Sequence, residues 1–464
     1  MSQLPDFLPF PKEFQFGTSV SSFQVEGNSG VRKSDWDLFL AEHPGIIKPH
    51  EIGPQWWQRG KAEADLDIMS SLGMHVQRLS FEWARIEPEE GKINHDALRR
   101  YREIIDHLHK KQITPVVTLN HYTLPLWITK KGSWENSKIV SAFKNYVTLI
   151  AHEFGDIKTW LTLNEPGMLI ELGYFLPIFP PQHVGIRSAL RARKNMIDAH
   201  KEAYKVLKRV IPNSLVSMAF SFRWYRPENP NDVLEKLYAN WIDQLDSLNY
   251  IDEVKDTIDF IGCNFYTGYF LNFNINLFKL RFRLHRITDS PPKTILFGEL
   301  RKPGAYVSDI GMPIVPGFFL ELLRVLHKRY NKPIIITENG IADRKDHHRA
   351  FYHLVHLVAL WRAIQEGIAI KQYLVWSTVD NLEWAQGYRQ QFGLIHIDPV
   401  SGERTIRESA FCYRDIVKAQ GIHVQKLLSK YFQKEQAEKV QTLVRHLLNR
   451  HEKNALKMLT IGKE

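Results

Sequence analysis

Short apolar runs rich in β-branched residues alternate along this chain with longer segments whose apolar residues recur at helical spacing. The runs predict eight strands near 14–21, 75–81, 113–120, 159–164, 214–221, 258–264, 333–337 and 372–377. The helical patterns lie at 56–72, 95–111, 137–154, 187–209, 232–248, 318–330, 346–366 and 405–418. Strands that alternate with helices pair in parallel through right-handed crossovers. Eight such units predict an α/β protein with a single closed (β/α)8 TIM barrel and extended loops after its strands.

An open, doubly wound sheet is the alternative architecture. It is disfavoured because no G-x-G-x-x-G follows the first strand and no G-x-x-x-x-G-K-[ST] occurs in the chain. The pattern assigns 1–420 to the catalytic barrel and 421–464 to a helical C-terminal extension. Leu and Val recur there at helical spacing among Lys, Arg and Glu. Such a helix could dock on the barrel with one solvated face, which we favour, or pair with a second chain, or bind a polyanion.

Composition excludes several classes of protein. Two cysteines in 464 residues cannot build a disulfide scaffold or a four-cysteine zinc site. The histidines at 347, 348, 353 and 356 complete no known metal spacing, so we expect neither a metal nor a cofactor. The net charge of +10 comes without a nucleic-acid-binding signature, and we expect no nucleic-acid partner. The N-terminus lacks a signal-peptide pattern and no apolar run reaches about 20 residues, which predicts a cytoplasmic location without membrane insertion.

Polar and aromatic residues gather where the predicted strands end. Barrel enzymes carry their catalytic groups at this C-terminal face. The fifth strand contributes nothing that we assign. From the first strand to the eighth, the residues concerned are Gln24, Arg78, His121, Asn164, Glu165, Asn264, Tyr266, Glu338 and Trp376.

Two glutamates are the strongest chemical signal among them. Glu165 ends the apolar strand of TWLTLNEP, where Pro166 blocks a regular continuation, and Glu338 ends that of PIIITENG, where Gly340 is expected to allow a tight turn. Two carboxyl groups aimed at one barrel mouth suit cleavage of a glycosidic bond. One is then a protonated acid for the leaving oxygen, and the other is an ionised nucleophile for the anomeric carbon. Arg78 could hold the second as a carboxylate.

The sequence resembles glycoside hydrolase family 1, the β-glucosidase and β-galactosidase group of retaining enzymes. Six blocks resemble those of the family in the same order, from about residue 14 to about 418. They are FQFGTSVSSFQVEG, QRLSFEWARIEPEEGKIN, LTLNEP, CNFYTG, ITENG and VWSTVDNLEWAQGYRQQFGLIHID.

The resemblance implies a role for each matching residue. Glu165 matches the acid/base, Glu338 the nucleophile, Tyr266 the phenol that orients the nucleophile, and Arg78 its cationic neighbour. Asn164 matches the contact to the 2-hydroxyl of the sugar. The residues expected to bind the rest of the substrate are Gln24, His121, Asn264, Glu383, Trp384 and Trp376, the last as the floor of the first subsite.

These roles imply hydrolysis of terminal, non-phosphorylated β-glucosides or β-galactosides by double displacement. Glu383 argues against phosphorylated sugars, since a carboxylate there repels a phosphate. The alternative is a catalytically weak carbohydrate-binding or transglycosylating relative.

The chain departs from the family pattern at several positions. Tyr122 and Thr123 follow His121, where the family usually has Trp and another polar residue. Pro177 and Gln182 alter the loop after the fourth strand, and Gln391 stands where an Arg normally precedes Phe-Gly-Leu. None of these substitutions is expected to touch Glu165 or Glu338. We expect local repacking there with activity kept.

One further segment exceeds the family plan. The basic and apolar residues of 272–300 alternate, which predicts a β-hairpin over the barrel mouth. A peripheral membrane contact through this segment or through the C-terminal tail is the rival interpretation. Self-association into a homo-oligomer stays open.

Overall fold

A computed structural model describes residues 5–273, 294–295, 298–301 and 306–449 of the chain. Within them, eight parallel strands close into a barrel, and each of the first seven pairs with the next along the chain. The eighth strand pairs with the first, so the barrel is closed and the open-sheet alternative is excluded. The strands are β1 (Gln15–Ser19), β2 (Val76–Ser80), β3 (Thr114–Asn120), β4 (Thr159–Asn164), β5 (Leu215–Pro227), β6 (Ile261–Phe273), β7 (Ile334–Asn339) and β8 (Ile370–Trp376).

A compact apolar layer fills the barrel interior. It draws one side chain from nearly every barrel strand and is buried throughout, so the interior is packed rather than open. Strand β1 has a glycine at position 17 for a steric reason, because a Cβ there would lie 2.1 Å from the carbonyl oxygen of Val76 on β2. The members of the layer are Val76, Val116, Leu161, Ala219, Phe260, Ile335 and Leu374.

Helices follow the strands and cover the barrel. They are α1 (Lys61–Ser71), α2 (His95–Lys110), α3 (Lys138–Glu153), α4 (Ile186–Val210), α5 (Val233–Asp243), α6 (Pro316–Tyr330), α7 (Arg349–Gln365) and α8 (Glu408–Ala419). Three predicted helix starts were wrong by three residues or more, and one of them is that of α7, which begins at Arg349 rather than 346. The chain turns before Gly60, whose φ is +85°, so α1 begins at Lys61 rather than 56. Arg404–Ile406 is a strand paired with Ile395–Ile397, so α8 begins later than 405.

Strands β5 and β6 are longer than predicted. They remain paired beyond the barrel as far as Pro227 and Leu271. Gly298–Arg301 then pairs antiparallel with the end of β6, and Thr294–Ile295 pairs with Gly298–Arg301. The basic and apolar residues of the predicted hairpin, 277–287, lie outside the described residues.

The described part of the C-terminal segment packs against the barrel. Gly421–Ile422 pairs antiparallel with Leu8–Pro9 near the N-terminus. Two helices follow, α9 (Val424–Tyr431) and α10 (Lys434–Leu448). Helix α10 lies on α7 and buries Val440, Val444 and Leu447. None of the helices within the described ranges is long and apolar enough to cross a membrane.

Candidate active site

Glu165 is presented where β4 turns abruptly into a short helix. Its backbone has a φ of +42°, in the left-handed region that non-glycine residues seldom adopt. Pro166 follows as the first residue of the helix Pro166–Ile170, where a missing N–H costs nothing. The Glu165 N–H donates to the carbonyl of Ala219 on β5 at 2.8 Å. The carboxyl group therefore leaves the strand on a fixed backbone.

Glu338 lies within β7 beside Asn264 of β6 in the strand register. Nη1 of Arg78 donates to Oε1 of Glu338 at 2.6 Å, and the Tyr266 hydroxyl donates to Oε2 at 2.6 Å. Burial raises the pKa of Glu338, while the charge of Arg78 and the hydrogen bond from Tyr266 oppose that rise. Both oxygens are thus held by donors, one of them a cation, which favours the ionised carboxylate.

Glu165 has a different environment. Asn264 donates to Oε1 at 2.8 Å and the Tyr122 hydroxyl donates to Oε2, but no cation forms an ion pair with Glu165 within the described ranges. Burial raises the pKa of Glu165 to about 7, and the charge of Glu338 adds to the rise. Of the two carboxyl groups, Glu165 is therefore the one that carries a proton near neutral pH.

Two asparagines connect the glutamates. Oδ1 of Asn164 accepts from Nη2 of Arg78 at 2.7 Å and from Asn264 at 3.2 Å. Asn264 is itself oriented by the Thr337 hydroxyl, which donates to its Oδ1 at 2.6 Å. This network joins β2, β4, β6 and β7, so a shift of one glutamate is coupled to the other.

His121 is held as a neutral ring with one donor left over. Since Oδ1 of Asn164 accepts from Arg78, its Nδ2 is the donor toward Nε2 of His121 at 3.0 Å. Burial, and after it the charge of Arg78, lowers the pKa of His121 well below its usual range. The proton is then on Nδ1, which is buried and has no hydrogen-bond partner within the described residues. A buried donor without a partner points to a ligand.

Glu383 presents a second buried polar atom of this kind. Its Oε2 has no hydrogen-bond partner among the described residues. Burial, and after it the charges of Glu338 and Glu165, raise the pKa of Glu383 to about 8. Gln24 is fixed next to it, since its Nε2 donates to the carbonyl of Leu382 at 2.7 Å. Three loops that follow barrel strands thus contribute polar groups here. Those of His121 and Glu383 each have an atom without a partner among the described residues, and Gln24 lies beside Glu383.

Two indole rings flank the imidazole of His121. The ring of Trp376 is nearly parallel to it at a centroid distance of 5.9 Å, and that of Trp384 lies at 5.9 Å with a tilt of 17°. Apolar ring faces beside polar atoms suit a pyranose, which has C–H groups on its faces and hydroxyls on its rim. The structure therefore brings together all eleven residues that the sequence indicated.

Sequence reasoning missed a partner of Glu165. Tyr122 was noted as a departure from the family pattern. The expectation that no such departure touches Glu165 was wrong, because the Tyr122 hydroxyl contacts the Glu165 carboxyl group. Its position directly after His121 placed it near the strand ends, but no sequence signal indicated the left-handed backbone that directs it to Glu165. The other departures are locally accommodated. Nε2 of Gln182 donates to the carbonyl of Pro177 at 2.8 Å, and Oε1 of Gln391 accepts from Arg407 at 2.9 Å.

Comparison with known proteins gives a consistent picture. The sequence model of Glycosyl hydrolase family 1 matches residues 8–246 and 248–422. The chain is 32% identical over 459 residues to Beta-glucosidase A of Thermotoga maritima, covering 89% of this chain and 98% of that one. It is 28% identical over 491 residues to a Beta-galactosidase of Sulfolobus acidocaldarius, covering 89% and 96%.

Solved structures agree with these sequence matches. The family 1 β-glucosidase from Thermotoga maritima superposes with a TM-score of 0.80 at 28% identity, over 90% of this chain and 100% of that one. The β-glucosidase from Thermotoga maritima in complex with glucoimidazole gives a TM-score of 0.79 at 28% identity, over 89% and 100%.

Proposed function

The chain belongs to glycosyl hydrolase family 1, and on that basis we propose that it is a retaining β-glycosidase. It hydrolyses terminal, non-phosphorylated β-glucosides or β-galactosides by double displacement. Relatives of the chain are named beta-glucosidase and beta-galactosidase, which supports this substrate class. The observation that carries the proposal is the unequal environment of two buried glutamates at the ends of β4 and β7.

In the first step Glu338 attacks the anomeric carbon. Its carboxylate is kept ionised by Arg78 at 2.6 Å and oriented by Tyr266 at 2.6 Å. Glu165, whose pKa is raised to about 7, donates its proton to the glycosidic oxygen as the bond to the leaving group breaks. The products of this step are the free aglycone and a covalent ester between the sugar and Glu338.

In the second step the roles of Glu165 reverse. Esterification removes the charge of Glu338, which was one of the two main causes of the raised pKa of Glu165. The pKa of Glu165 therefore falls, and the ionised carboxylate can take a proton from a water molecule. That water attacks the anomeric carbon, Glu338 leaves as a carboxylate, and the sugar departs with its original configuration.

The remaining polar atoms would bind the sugar. Nδ1 of His121 is a donor and Oε2 of Glu383 is a carboxyl oxygen, and each is buried without a partner among the described residues. Asn164 lies between Arg78 and His121, next to Glu165, where the resemblance places the 2-hydroxyl. Trp376 and Trp384 supply apolar ring surfaces beside His121.

The charge of the site supports a neutral substrate. Glu165 and Glu338 are close enough to Glu383 for their charges to contribute to its raised pKa of about 8. A sugar phosphate would add up to two further negative charges beside this cluster. Binding of a 6-phosphorylated sugar would therefore be disfavoured whether or not Glu383 is protonated.

The test is a panel of nitrophenyl α- and β-glycosides that includes gluco, galacto, manno, fuco and 6-phospho forms. We expect turnover of β-glucoside or β-galactoside and loss on the order of 10⁴-fold or more in Glu338→Ala. The matched control is Glu435→Ala, an exposed glutamate on α10, which should match the parent.

Stereochemistry provides an independent readout. Nuclear magnetic resonance of the first product should show the β-anomer. With added azide, Glu338→Ala should yield the α-glycosyl azide, because azide enters the face that the carboxylate vacates. An α-configured first hydrolysis product from the parent, or full turnover by Glu338→Ala, would defeat the proposal.

A further inference from the structure

The hydroxyl of Tyr122 is a second donor to the carboxyl group of Glu165. It contacts Oε2, whereas Asn264 contacts Oε1. Burial and the nearby charge of Glu165 raise the pKa of the Tyr122 phenol well above its usual value, so the phenol keeps its proton and acts as the donor. Each oxygen of Glu165 thus has its own donor.

The backbone fixes Tyr122 in an uncommon conformation. Its φ is +72°, which an aromatic residue adopts only when its surroundings impose it. The next residue provides that constraint. The Thr123 N–H donates to the carbonyl of His121 at 3.0 Å, and its carbonyl accepts from Nδ2 of Asn120 at 2.7 Å. Its hydroxyl lies 2.9 Å and 3.0 Å from the two oxygens of the buried Glu82.

Aromatic rings enclose the phenol on its other sides. Trp384 packs edge-on against Tyr122 at a centroid distance of 5.1 Å, and Phe179 does so at 5.6 Å. Phe179 belongs to the loop after β4, between the two residues, Pro177 and Gln182, that depart from the family pattern. Tyr122 is 5% exposed, so its ring cannot turn away from Glu165 without moving these neighbours.

We propose that Tyr122 is a positioning residue that holds the Glu165 carboxyl group and favours its ionised form, thereby setting the pH range in which the acid/base works. This inference rests on the function proposed above. In the second step Glu165 must be ionised to take a proton from water, and the phenol stabilises that state. In the first step the same hydrogen bond makes Glu165 a stronger acid toward the leaving oxygen. Tyr122 gains and loses no proton in either step.

The charged and hydrogen-bonding groups around Glu165 determine how its pKa changes when the Tyr122 phenol is removed. Burial and the charge of Glu338 raise the pKa of Glu165, since a like charge disfavours the ionised carboxylate, and the charge of Glu165 in turn raises the pKa of the neighbouring Glu383. Arg78 and the donors Tyr122 and Asn264 lower the pKa of Glu165. Without the phenol, one of the two side-chain donors to Glu165 within the described ranges is lost and its pKa rises.

The experiment is the pH profile of kcat/KM for Tyr122→Phe against the parent, on a nitrophenyl β-glucoside. The alkaline limb reports the acid of the free enzyme. We expect that limb to move to higher pH by about 0.5–1.5 units, given the usual strength of a hydrogen bond to a charged group. Tyr266→Phe is the matched control, because it removes a phenol from Glu338 instead and should move the acidic limb upward.

A double variant separates this role from a structural one. In a Glu165→Gln background the acid/base cannot ionise, so adding Tyr122→Phe should change the rate on a dinitrophenyl β-glucoside by less than about twofold. Should the Phe variant fail to fold, as judged by its thermal melt, Tyr122→Met lacks a donor as well and carries the same prediction.

Two results would overturn the inference. An alkaline limb that stays in place in Tyr122→Phe, in a parent that hydrolyses β-glucosides normally, would overturn the role of Tyr122 alone. A parent without glycosidase activity on the whole panel would overturn the proposed function and this inference with it.

Discussion

Arg78 and Glu338 form a buried ion pair, in which Nη1 lies 2.6 Å from Oε1 and neither side chain is more than 4% exposed. Breaking a buried pair by removing one partner leaves an uncompensated charge, which costs about 3–5 kcal/mol of stability. Arg78 also contacts Thr118, the Thr337 carbonyl and Asn164, so one guanidinium fixes both the charge and the orientation of the site.

Arg78→Met should therefore lower stability and also shift catalysis. The pKa of Glu338 should rise when the cation is lost, which moves the acidic limb of kcat/KM to higher pH. Arg85→Met is the control, since Arg85 forms a comparably buried pair with Glu26 at 2.6 Å. Thermal melts should show a loss in both variants, and pH profiles a displaced acidic limb in Arg78→Met alone. Equal displacement in both would contradict the assignment.

The pH dependence of the parent should follow from Glu165. Its pKa is raised to about 7, so the proton that the first step needs is present below that pH and is lost as the pH rises through it. We expect kcat/KM on a nitrophenyl β-glucoside to fall on the alkaline side of about pH 7. Glu165→Gln should slow a substrate with a poor leaving group by about 10²–10⁴-fold.

A dinitrophenyl β-glucoside supplies the contrast for that prediction. Its leaving group needs little protonation, so the first step should be much less sensitive to Glu165→Gln. The alkaline limb should be absent in this variant. A limb that persists near pH 7 in Glu165→Gln would assign the titration to another group, with Glu383 the first candidate because its pKa is raised to about 8.

The sequence predicted the barrel well because its strands are apolar, β-branched and separated by regular helical patterns. Predicted β4 ended at Asn164, where the structure ends it, and Glu338 proved to lie in β7 beside its expected partner Arg78. These positions depend on local pattern alone. The C-terminal ends of all strands of a closed barrel lie at the same face, so the proximity of the two glutamates could be predicted from the sequence.

Other features depend on the backbone path and could not be predicted. The contact between Tyr122 and Glu165 requires a left-handed residue after β3, and no sequence pattern marks Tyr as one. Gly340 was expected to allow a tight turn, but its backbone does not adopt a positive φ. A close approach of two chain segments explains this glycine instead, because a Cβ there would lie 1.9 Å from the carbonyl oxygen of Trp376.

Glu383→Ala tests the preference for neutral sugars. Removing this carboxyl group should reduce kcat/KM on the nitrophenyl β-glucoside by roughly tenfold to a hundredfold, since a hydrogen bond to the sugar is lost. Above about pH 8, where Glu383 is ionised, it should at the same time raise the ratio of 6-phosphoglucoside to glucoside turnover, because one negative charge is removed from the site. Steady-state kinetics on both substrates measure this ratio. An unchanged ratio would show that Glu383 does not govern discrimination against phosphate.

Gly340→Ala tests the steric role of Gly340. The two nearest atoms that a Cβ would meet belong to the backbone of Trp376, so the segment carrying Glu338 or the end of β8 must shift. Overpacking of this kind costs about 1–3 kcal/mol. We expect a lower melting temperature together with reduced kcat. Gly45→Ala is the control, as a Cβ there meets nothing within 4 Å, and it should match the parent in both measurements. A fully active Gly340→Ala would contradict the steric explanation.

Asp35 provides a prediction about stability rather than catalysis. It is buried, its Oδ1 accepts from the N–H groups of Leu124 and Trp36, and burial raises its pKa to about 8, with the charges of Glu82 and Asp37 adding to the rise. The folded protein thus holds a proton that the unfolded chain releases near pH 4. The stabilisation from that proton is complete below about pH 4 and is lost as the pH rises through about 8.

Asp35→Asn is neutral at every pH and its carbonyl oxygen can still accept both N–H groups. The melting temperature of Asp35→Asn relative to the parent should therefore increase between pH 5 and pH 8. Asp232→Asn is a suitable control, since Asp232 also accepts from two backbone N–H groups, at the start of α5, but is only partly buried. A difference from the parent that stays constant across this range would mean that Asp35 does not titrate with folding.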